Sequence, residues 1–510
     1  MDKFGASISK WTVGLVAFSI FAQILWIRPF YGLMDDHTNF YHLYPAVLQN
    51  GLWAETLAFL ARDLDWGMYR VTYIPMLSGL HWFAAQFGPI GFYLANFFFC
   101  AAIYFLAAWV WARILGLSLW AILLVIAAFF YSYDLFQYPS LQEKLLHIFG
   151  APLFWFSWRI SPGLFWRTIL VIFFTLGGVF SKSSFFIYVS MAWLAFVYSL
   201  WEPLRQKQKS AICSADILAN ASLPSSSPVP QYRSTAHGSP QSDASPGKDI
   251  SRAAAILSLA IVTAIDVALF LFIARVSKHG AYTSGGYSLA RFLGNLFSPE
   301  AILLFGPALV LFFLVFRRRE FRANPTVLLP AVGVLAYLAL FLPWGIGAYL
   351  LTIITPAYAA LLVLVLERIS PEFLRRAGYL GLVVLALVFG IYRPYSMFHR
   401  LRDVGELAIR GPEWKAAGID HLTMPCMEGA DGMTKYFKNH GGVDIKARYS
   451  LEKPKAGEAE WFLYDTGLCT MPWARGGDSG CQESESLYTS GAPRWGFRLV
   501  KIQCASAGGV

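Results

Sequence analysis

Long apolar runs separated by short polar breaks fill the chain up to about residue 395, and a polar tail follows. The runs fall at roughly 11–29, 91–112, 118–133, 145–158, 168–181, 184–201, 253–274, 299–316, 326–342, 349–366 and 377–395. A helix crossing a bilayer core needs about 20 apolar residues, so these eleven runs read as membrane-spanning helices. A further stretch at 71–87 is bordered by Arg70 and interrupted by Pro75, Gly79, His81 and Gln86. It reads as an interfacial or re-entrant piece.

Charge tests that choice. With the N-terminus cytoplasmic, eleven spans put Lys3 and Lys10, Arg113, Arg159 and Arg167, Arg205, Lys207 and Lys209, Arg317 to Arg319 with Arg322, and Arg368, Arg375 and Arg376 on the cytoplasmic side. Basic residues near spans concentrate there. Counting 71–87 as a span would place those clusters outside.

Three polar pieces remain. Residues 30–90 form a long first external loop, and residues 397–510 an external C-terminal domain long enough for a modest core. Residues 205–250 form a cytoplasmic loop rich in Ser, Pro, Ala and Gln, with too little apolar periodicity to fold, and read as disordered. The first apolar run is followed by Arg28-Pro29-Phe30 without a small-residue cleavage site, so it reads as a retained span. The expected fold is therefore an all-α polytopic membrane protein of about eleven helices with a small α+β external domain.

Composition agrees. Of 510 residues, 56% are hydrophobic and 14% charged, and the mean hydropathy is +0.50. In such a chain a net charge of +10 reports cytoplasmic loops rather than a nucleic-acid footprint. Four of six cysteines, Cys426, Cys469, Cys481 and Cys504, lie in the tail. An even number in an oxidising compartment predicts two disulfides, among three pairings. Cys100 and Cys213 are expected to be unpaired. A zinc site is the rival, but no CxxC pair supports it.

The densest chemistry follows the first span, in Met34-Asp35-Asp36-His37-Thr38-Asn39-Phe40. Carboxylates beside a membrane helix are expensive, and acids in such places are functional by default. The bland alternative is a helix cap or a solvated acidic loop. Transfer from a lipid phosphate needs a carboxylate to activate the acceptor and cations to hold the departing phosphate, both at the membrane surface.

On these residues the chain resembles the integral-membrane glycosyltransferases of the C-type (GT-C) fold, the group that includes protein O-mannosyltransferases and bacterial lipid A aminoarabinose transferases. That resemblance implies an acidic pair just after the first span, an aromatic four residues after the key Asp, and a Gly and an aromatic further on. Asp36 has Phe40, then Gly51 and Trp53, and on this register His37 takes the second acid's place. Aligning Asp35 keeps the acidic pair and shifts the aromatic and the glycine by one. Both stand as catalytic candidates. The family's Lys-plus-small-residue turn is similar to Ser181-Lys182-Ser183-Ser184, which implies a phosphate contact for Lys182; the alternative is a snorkelling lysine.

Other polar groups fall in predicted external loops. Glu143 and His147 are four apart, on one face of any helix there. With Asp36 they could hold a divalent cation, Mg or Mn, although some family members need no metal. Glu143, Lys144 and His147 are equally readable as a polar loop interface. Arg275 and Arg291 flank a loop carrying Lys278, His279, Tyr282, Tyr287 and Gly285-Gly286, suited to a phosphate or a sugar or simply solvated. Where the family often has Arg before a late Tyr, this chain has Ala348, and Arg393 at the end of the last span is the replacement candidate. Asp266 falls inside a predicted span, with no specific role.

What the resemblance implies is an enzyme of the bacterial inner membrane; a direct displacement would make it inverting, and the charge bias puts its N-terminus in the cytoplasm and its C-terminal domain in the periplasm. It would take sugar from a polyprenyl-phosphate donor and pass it to an envelope glycan or lipid, less readily to a protein, among membrane lipids and without nucleic acid. The rival readings are a lipid or polysaccharide transporter or flippase, which many spans also suit, and an O-antigen ligase or polymerase.

Overall fold

The structure is a computed structural model, and it describes residues 3–32, 35–65, 70–129, 143–158, 163–181, 185–186, 188–201, 252–276, 293–294, 317, 324–341, 354–425, 430–450, 452–465, 480–490 and 496–505. The apolar runs within those residues are helices. They are Lys3–Ile27, Tyr73–Leu115, Leu119–Phe129, Glu143–Trp158, Leu164–Val179, Arg252–Val276, Pro325–Phe341, Thr355–Glu367 and Glu372–Leu387, with Tyr188–Trp201 between the fifth and the sixth. Among the described residues, four helices are long and apolar enough to cross a membrane: Gly5–Ile27, Tyr73–Leu115, Arg252–Phe272 and Glu372–Ile409. Five further apolar helices among the described residues are shorter, so the count of eleven spans is not established. The run 299–316 and the loop 205–250 lie outside the described residues. Trp11, Phe18, Trp26, Phe98, Phe165, Phe173 and Phe270 stand exposed on the helices, the surface expected where lipid rather than water is the solvent.

Helix Tyr73–Leu115 is two pieces joined at Gly88, whose φ of +67° no β-carbon tolerates easily, followed by Pro89. The first piece is about 22 Å long, short of a bilayer core. Its Tyr73, Ile74 and Leu77 pack with Val47 and with Leu43, Leu52 and Phe59 of the first loop.

Side-chain contacts set the helix directions. Lys144 meets Asn96, His147 meets Tyr104 and Phe154 meets Trp111. Positions rise together, so Glu143–Trp158 runs parallel to the second piece of the kinked helix. Helix Leu164–Val179 runs back against it: Arg167 donates to the carbonyls of Phe156 and Ser157 at 2.6 and 2.5 Å, while Gly177 lies against Phe149. Gly5 packs on Tyr379, and Phe30 on Gly405, so the first helix and the last run in the same direction. One end of the bundle thus gathers Gly5, Arg167 and the Arg368–Arg376 turn. The other gathers Asp36, Lys144, Ser181 and the C-terminal domain.

The last helix does not stop at the end of its apolar run. It passes through a π turn, Val388–Tyr392, into Arg393–Ile409, whose Phe398, Leu401, Val404 and Leu407 are buried. After Gly411–Ala416 come a mixed five-stranded sheet and helix Ala430–Gly441. The strands are β1 (His421–Thr423), β2 (Lys446–Arg448), β3 (Ala459–Asp465), β4 (Cys481–Thr489) and β5 (Phe497–Cys504), in spatial order β2-β1-β3-β5-β4. β1 is parallel to β2 and β3, and the β3–β5 and β4–β5 pairs are antiparallel. In β5, Phe497 and Leu499 are buried on one face, and Val500, Ile502 and Cys504 on the other. Cys481 faces Cys504 across β4 and β5, and the two form a disulfide. Cys426 and Cys469 of the expected second bridge lie outside the described residues. Cys100 is buried and in no disulfide, as expected.

Candidate functional site

The site begins where the first helix ends. Arg28 takes a left-handed φ of 53° and Pro29 follows, a turn that stops the helix and redirects the chain. Phe30 and Tyr31 are thereby pressed inward, their rings 5.4 Å apart. Asp35–Thr38 is a single helical turn continued by a π turn, Asn39–Leu43. Asp36 on that turn is 2% exposed. Gly32 makes room for it: a β-carbon there would lie 2.5 Å from Asp36 Oδ2.

Aromatic groups from three distant segments enclose this turn. Tyr31 stacks on Phe40 at 4.7 Å. Phe40 lies 5.7 Å from the His81 ring, which stacks on Phe92 at 5.4 Å. Tyr31 Oη donates to the Ala84 carbonyl at 3.3 Å. From the C-terminal domain, Tyr436 Oη donates to the Tyr31 carbonyl at 2.9 Å, and Tyr41 Oη and His440 Nε2 share a hydrogen bond of 2.8 Å. The His440 ring sits 4.9 Å from Phe30 and 4.6 Å from Tyr436.

Burial controls the electrostatics. The His440 imidazole is pushed down to about 4 by desolvation, so it is neutral at ordinary pH. Tyr31 is pushed up to about 12, by burial and then by Tyr41. Tyr436 is held well above its ordinary value, by burial first and then by the neighbouring phenols and the Asp36 carboxylate. Asp36 therefore acts on a wall of phenols that stay protonated. A carboxylate in such a wall can accept a proton from an incoming hydroxyl.

The other residues singled out from the sequence lie on several different elements. Asp35 shares the turn with Asp36, but its side chain and that of His37 lie outside the described residues, as do Lys182, Arg291 and the side chain of Glu143. The turn preceding Lys182 is anchored, because Ser181 Oγ and Thr72 Oγ1 are 2.6 Å apart. Lys144 is 1% exposed and donates from Nζ to Asn96 Oδ1 at 2.7 Å. Its ammonium is taken up in a helix–helix contact rather than displayed at a surface. His147 is likewise 1% exposed, its ring 5.1 Å from Tyr104. Glu143 and His147 do share a helix, Glu143–Trp158. Among the described residues, no three His, Cys, Asp or Glu side chains come together as a metal site. Arg275 is exposed at the end of its helix. Arg393 is exposed and lies over the Phe389 ring at 4.9 Å. Gly51 has φ +90° between two helices, which accounts for the glycine, and Trp53 is exposed.

Sequence reasoning did not single out Gly32, Tyr31, Tyr93, Tyr436 or His440, and read His81 only as a break in a possible span. Their sequence separations, up to 405 residues for Tyr31 and Tyr436, leave no local spacing to detect.

No protein-family model and no curated protein matches the sequence. The chain is similar in structure to ArnT from Cupriavidus metallidurans in the apo state, with a TM-score of 0.45, and bound to undecaprenyl phosphate, with a TM-score of 0.44. In both comparisons identity is 10%, and the match covers 96% of this chain and 97% of the other. At that identity and TM-score the likeness assigns no residue role and no activity to this chain.

Proposed function

We propose that this chain is an integral-membrane glycosyltransferase that moves a sugar from a polyprenyl-phosphate donor to a hydroxyl of an envelope glycan or lipid acceptor on the external face of the inner membrane. The observation that carries this reading is Asp36, buried at 2% exposure directly beyond the first apolar helix and enclosed by phenols. A buried acid held there without a reactive task would be an expensive feature. Its end of the bundle also bears Lys144 and the Ser181 turn, whose neighbour Lys182 is the proposed phosphate contact. With that end outward, the Arg368–Arg376 cluster lies on the cytoplasmic side, as basic loop residues prefer.

In the proposed reaction the acceptor O–H gives its proton to Asp36, and the oxygen attacks the anomeric carbon. The bond from that carbon to the phosphate oxygen breaks, and the electron pair leaves with the phosphate. A single attack from the opposite face inverts the anomeric centre. Lys182, Arg275, Arg291 and Arg393 are the proposed cationic partners of the phosphate. No metal is required by this scheme; if a Mg or Mn ion takes part, Asp36, Glu143 and His147 are its proposed ligands.

The test is transfer by purified protein from a polyprenyl-phosphate sugar, and undecaprenyl phosphate, the lipid in one of the ArnT structures, is the carrier to try first. Asp36→Asn should lower the rate about 10²–10⁴-fold, the usual effect of losing a general base. Asp35→Asn should do less. Full activity in both variants would remove the basis of the proposal.

A further inference from the structure

The Asp36 turn is bordered by polar atoms that the fold leaves without hydrogen-bond partners. His81 is 1% exposed, and neither its Nδ1 nor its Nε2 has a partner. Tyr93 is also 1% exposed, and its Oη has none. Asn39 Nδ2, on the turn itself, is a third such group. Buried polar groups are nearly always paired in native proteins, and each exception calls for an explanation. Three exceptions together are not scattered packing faults. Asn39 adjoins Phe40, Phe40 faces His81, His81 stacks on Phe92, and Phe92 packs on Tyr93 at 5.4 Å. The Asp36 carboxylate is close enough to Tyr93 to act on its phenol.

The chemistry of this set selects a ligand. An apolar lipid tail would leave all these atoms unpaired. A phosphate would call for a cation, whereas the described rings here belong to Tyr31, Phe40, Phe92 and Tyr93. A sugar ring has apolar C–H faces that lie on aromatic rings and a rim of hydroxyls that both donate and accept. The imidazole offers one donor and one acceptor, the phenol can do either, and the amide nitrogen donates.

We propose that His81 and Tyr93, with Asn39, bind the sugar ring of a substrate held at Asp36 and decide which sugar is accepted. This rests on the glycosyltransferase reading and names the residues that recognise the sugar. The site is closed in this structure by Tyr436 and His440 packed against Tyr31, so the ring enters as helix Ala430–Gly441 moves aside.

The test uses the full chain in lipid nanodiscs and the variants Tyr93→Phe, His81→Phe and His81→Gln. Binding is measured for polyprenyl-phosphate hexoses and pentoses and for the same polyprenyl phosphate without sugar. KM and kcat are measured for donor and acceptor separately. The wild type should bind at least one sugar-bearing lipid about tenfold more tightly than the bare carrier, the effect of one or two net hydrogen bonds. Tyr93→Phe and His81→Phe should erase that preference, and His81→Gln, which keeps a donor and an acceptor, should restore part of it. Melting temperatures of the Phe variants should be unchanged or higher, because an unpaired polar atom has been removed. A rise in donor KM alone places the donor sugar in the site; a rise in acceptor KM alone, with the acceptor bound in place of the lipid preference, places the acceptor sugar there. Variants equal to wild type in sugar preference and in both KM values overturn the proposal, as does a wild type that binds no sugar-bearing substrate better than its sugar-free counterpart. If Asp36→Asn is inactive while these variants behave as wild type, only the assignment of His81 and Tyr93 fails. If Asp36→Asn is fully active, the glycosyltransferase reading fails with it.

Discussion

Gly32→Ala is the most direct test of how Asp36 is held. A β-carbon at position 32 would stand 2.5 Å from Asp36 Oδ2 and 3.4 Å from its Cγ. Reaching the 3.4 Å at which ordinary contact begins requires the carboxylate oxygen or the backbone to shift by about 0.9 Å. Gly32 is not among the glycines at positive φ, so alanine is allowed by the backbone and the effect is one of space alone. Misplacing a reacting group by about 1 Å reduces rates by about 10²-fold. Overpacking a tight site destabilises by about 1–3 kcal/mol. The expected result is a kcat for sugar transfer reduced by about 10–100-fold, with a modestly lower melting temperature. Gly79→Ala is the control, since nothing lies within 4 Å of a β-carbon there, and alanine in a helix is expected to be neutral or to stabilise by up to about 1 kcal/mol. A Gly32→Ala protein with wild-type kcat and wild-type melting would show that Asp36 is not confined as described, and the link between its position and catalysis would fall.

Three further outcomes are expected. Arg70 binds the fully buried Asp63 through Nε at 2.8 Å and Nη2 at 2.7 Å, so Arg70→Ala should destabilise the first loop by about 3–5 kcal/mol by stranding a buried charge; a hydrogen-exchange pattern unchanged over residues 44–65 would contradict this. Replacing Cys481 and Cys504 by Ser opens the disulfide between β4 and β5 and should lower the stability of the C-terminal domain by about 2–4 kcal/mol, read as earlier proteolytic cleavage within the sheet. His440 has its folded value depressed to about 4 from 6.5, so the unfolded or undocked state binds more protons between those values. Its contribution is therefore complete above about pH 6.5 and is lost as pH falls toward 4; hydrogen exchange of Ala430–Gly441 should quicken over that window in the wild type and not in His440→Phe, and equal acid sensitivity of the two would refute the assignment.

The membrane helices were legible in the sequence because the bilayer imposes a length and a hydropathy on each, and a run such as 253–274 returns as Arg252–Val276. The break at Gly88 was not singled out, although the stretch before it was set apart by Pro75, Gly79, His81 and Gln86. In the structure that stretch is helical and runs on across Gly88 into the next apolar run, and its Tyr73, Ile74 and Leu77 pack with residues of the first loop. The acidic turn was visible because two carboxylates beside an apolar run stand out locally. Lys144 shows the limit: between Glu143 and His147 it reads as a loop cation, and only the parallel packing of two helices reveals that Asn96 takes its ammonium. Asn96 is one polar residue in an apolar run, and nothing in its neighbourhood marks its partner.

What encloses Asp36 was beyond such reading for a geometric reason. The first helix and the last run in the same direction, so the two segments that leave them, Phe30–Tyr31 and the C-terminal domain, emerge side by side although about 400 residues separate them, as in the contact of Tyr41 with His440. Continuity of helix through Val388–Tyr392 into Arg393–Ile409 carries the tail domain directly to that point. The domain is then not an appendage on a flexible tether. It supplies Tyr436 and His440 as the outer wall of the Asp36 turn, while His81 and Tyr93 on either side of the Gly88 break supply the inner wall. The inner wall holds polar atoms without partners, and the outer wall meets it through neutral hydrogen bonds and ring contacts, while Met433, Tyr436 and Phe437 join the main apolar core. Separation of the two walls therefore breaks apolar and neutral polar contacts and exposes the groups that lack partners, which is the order of events the proposed sugar site requires.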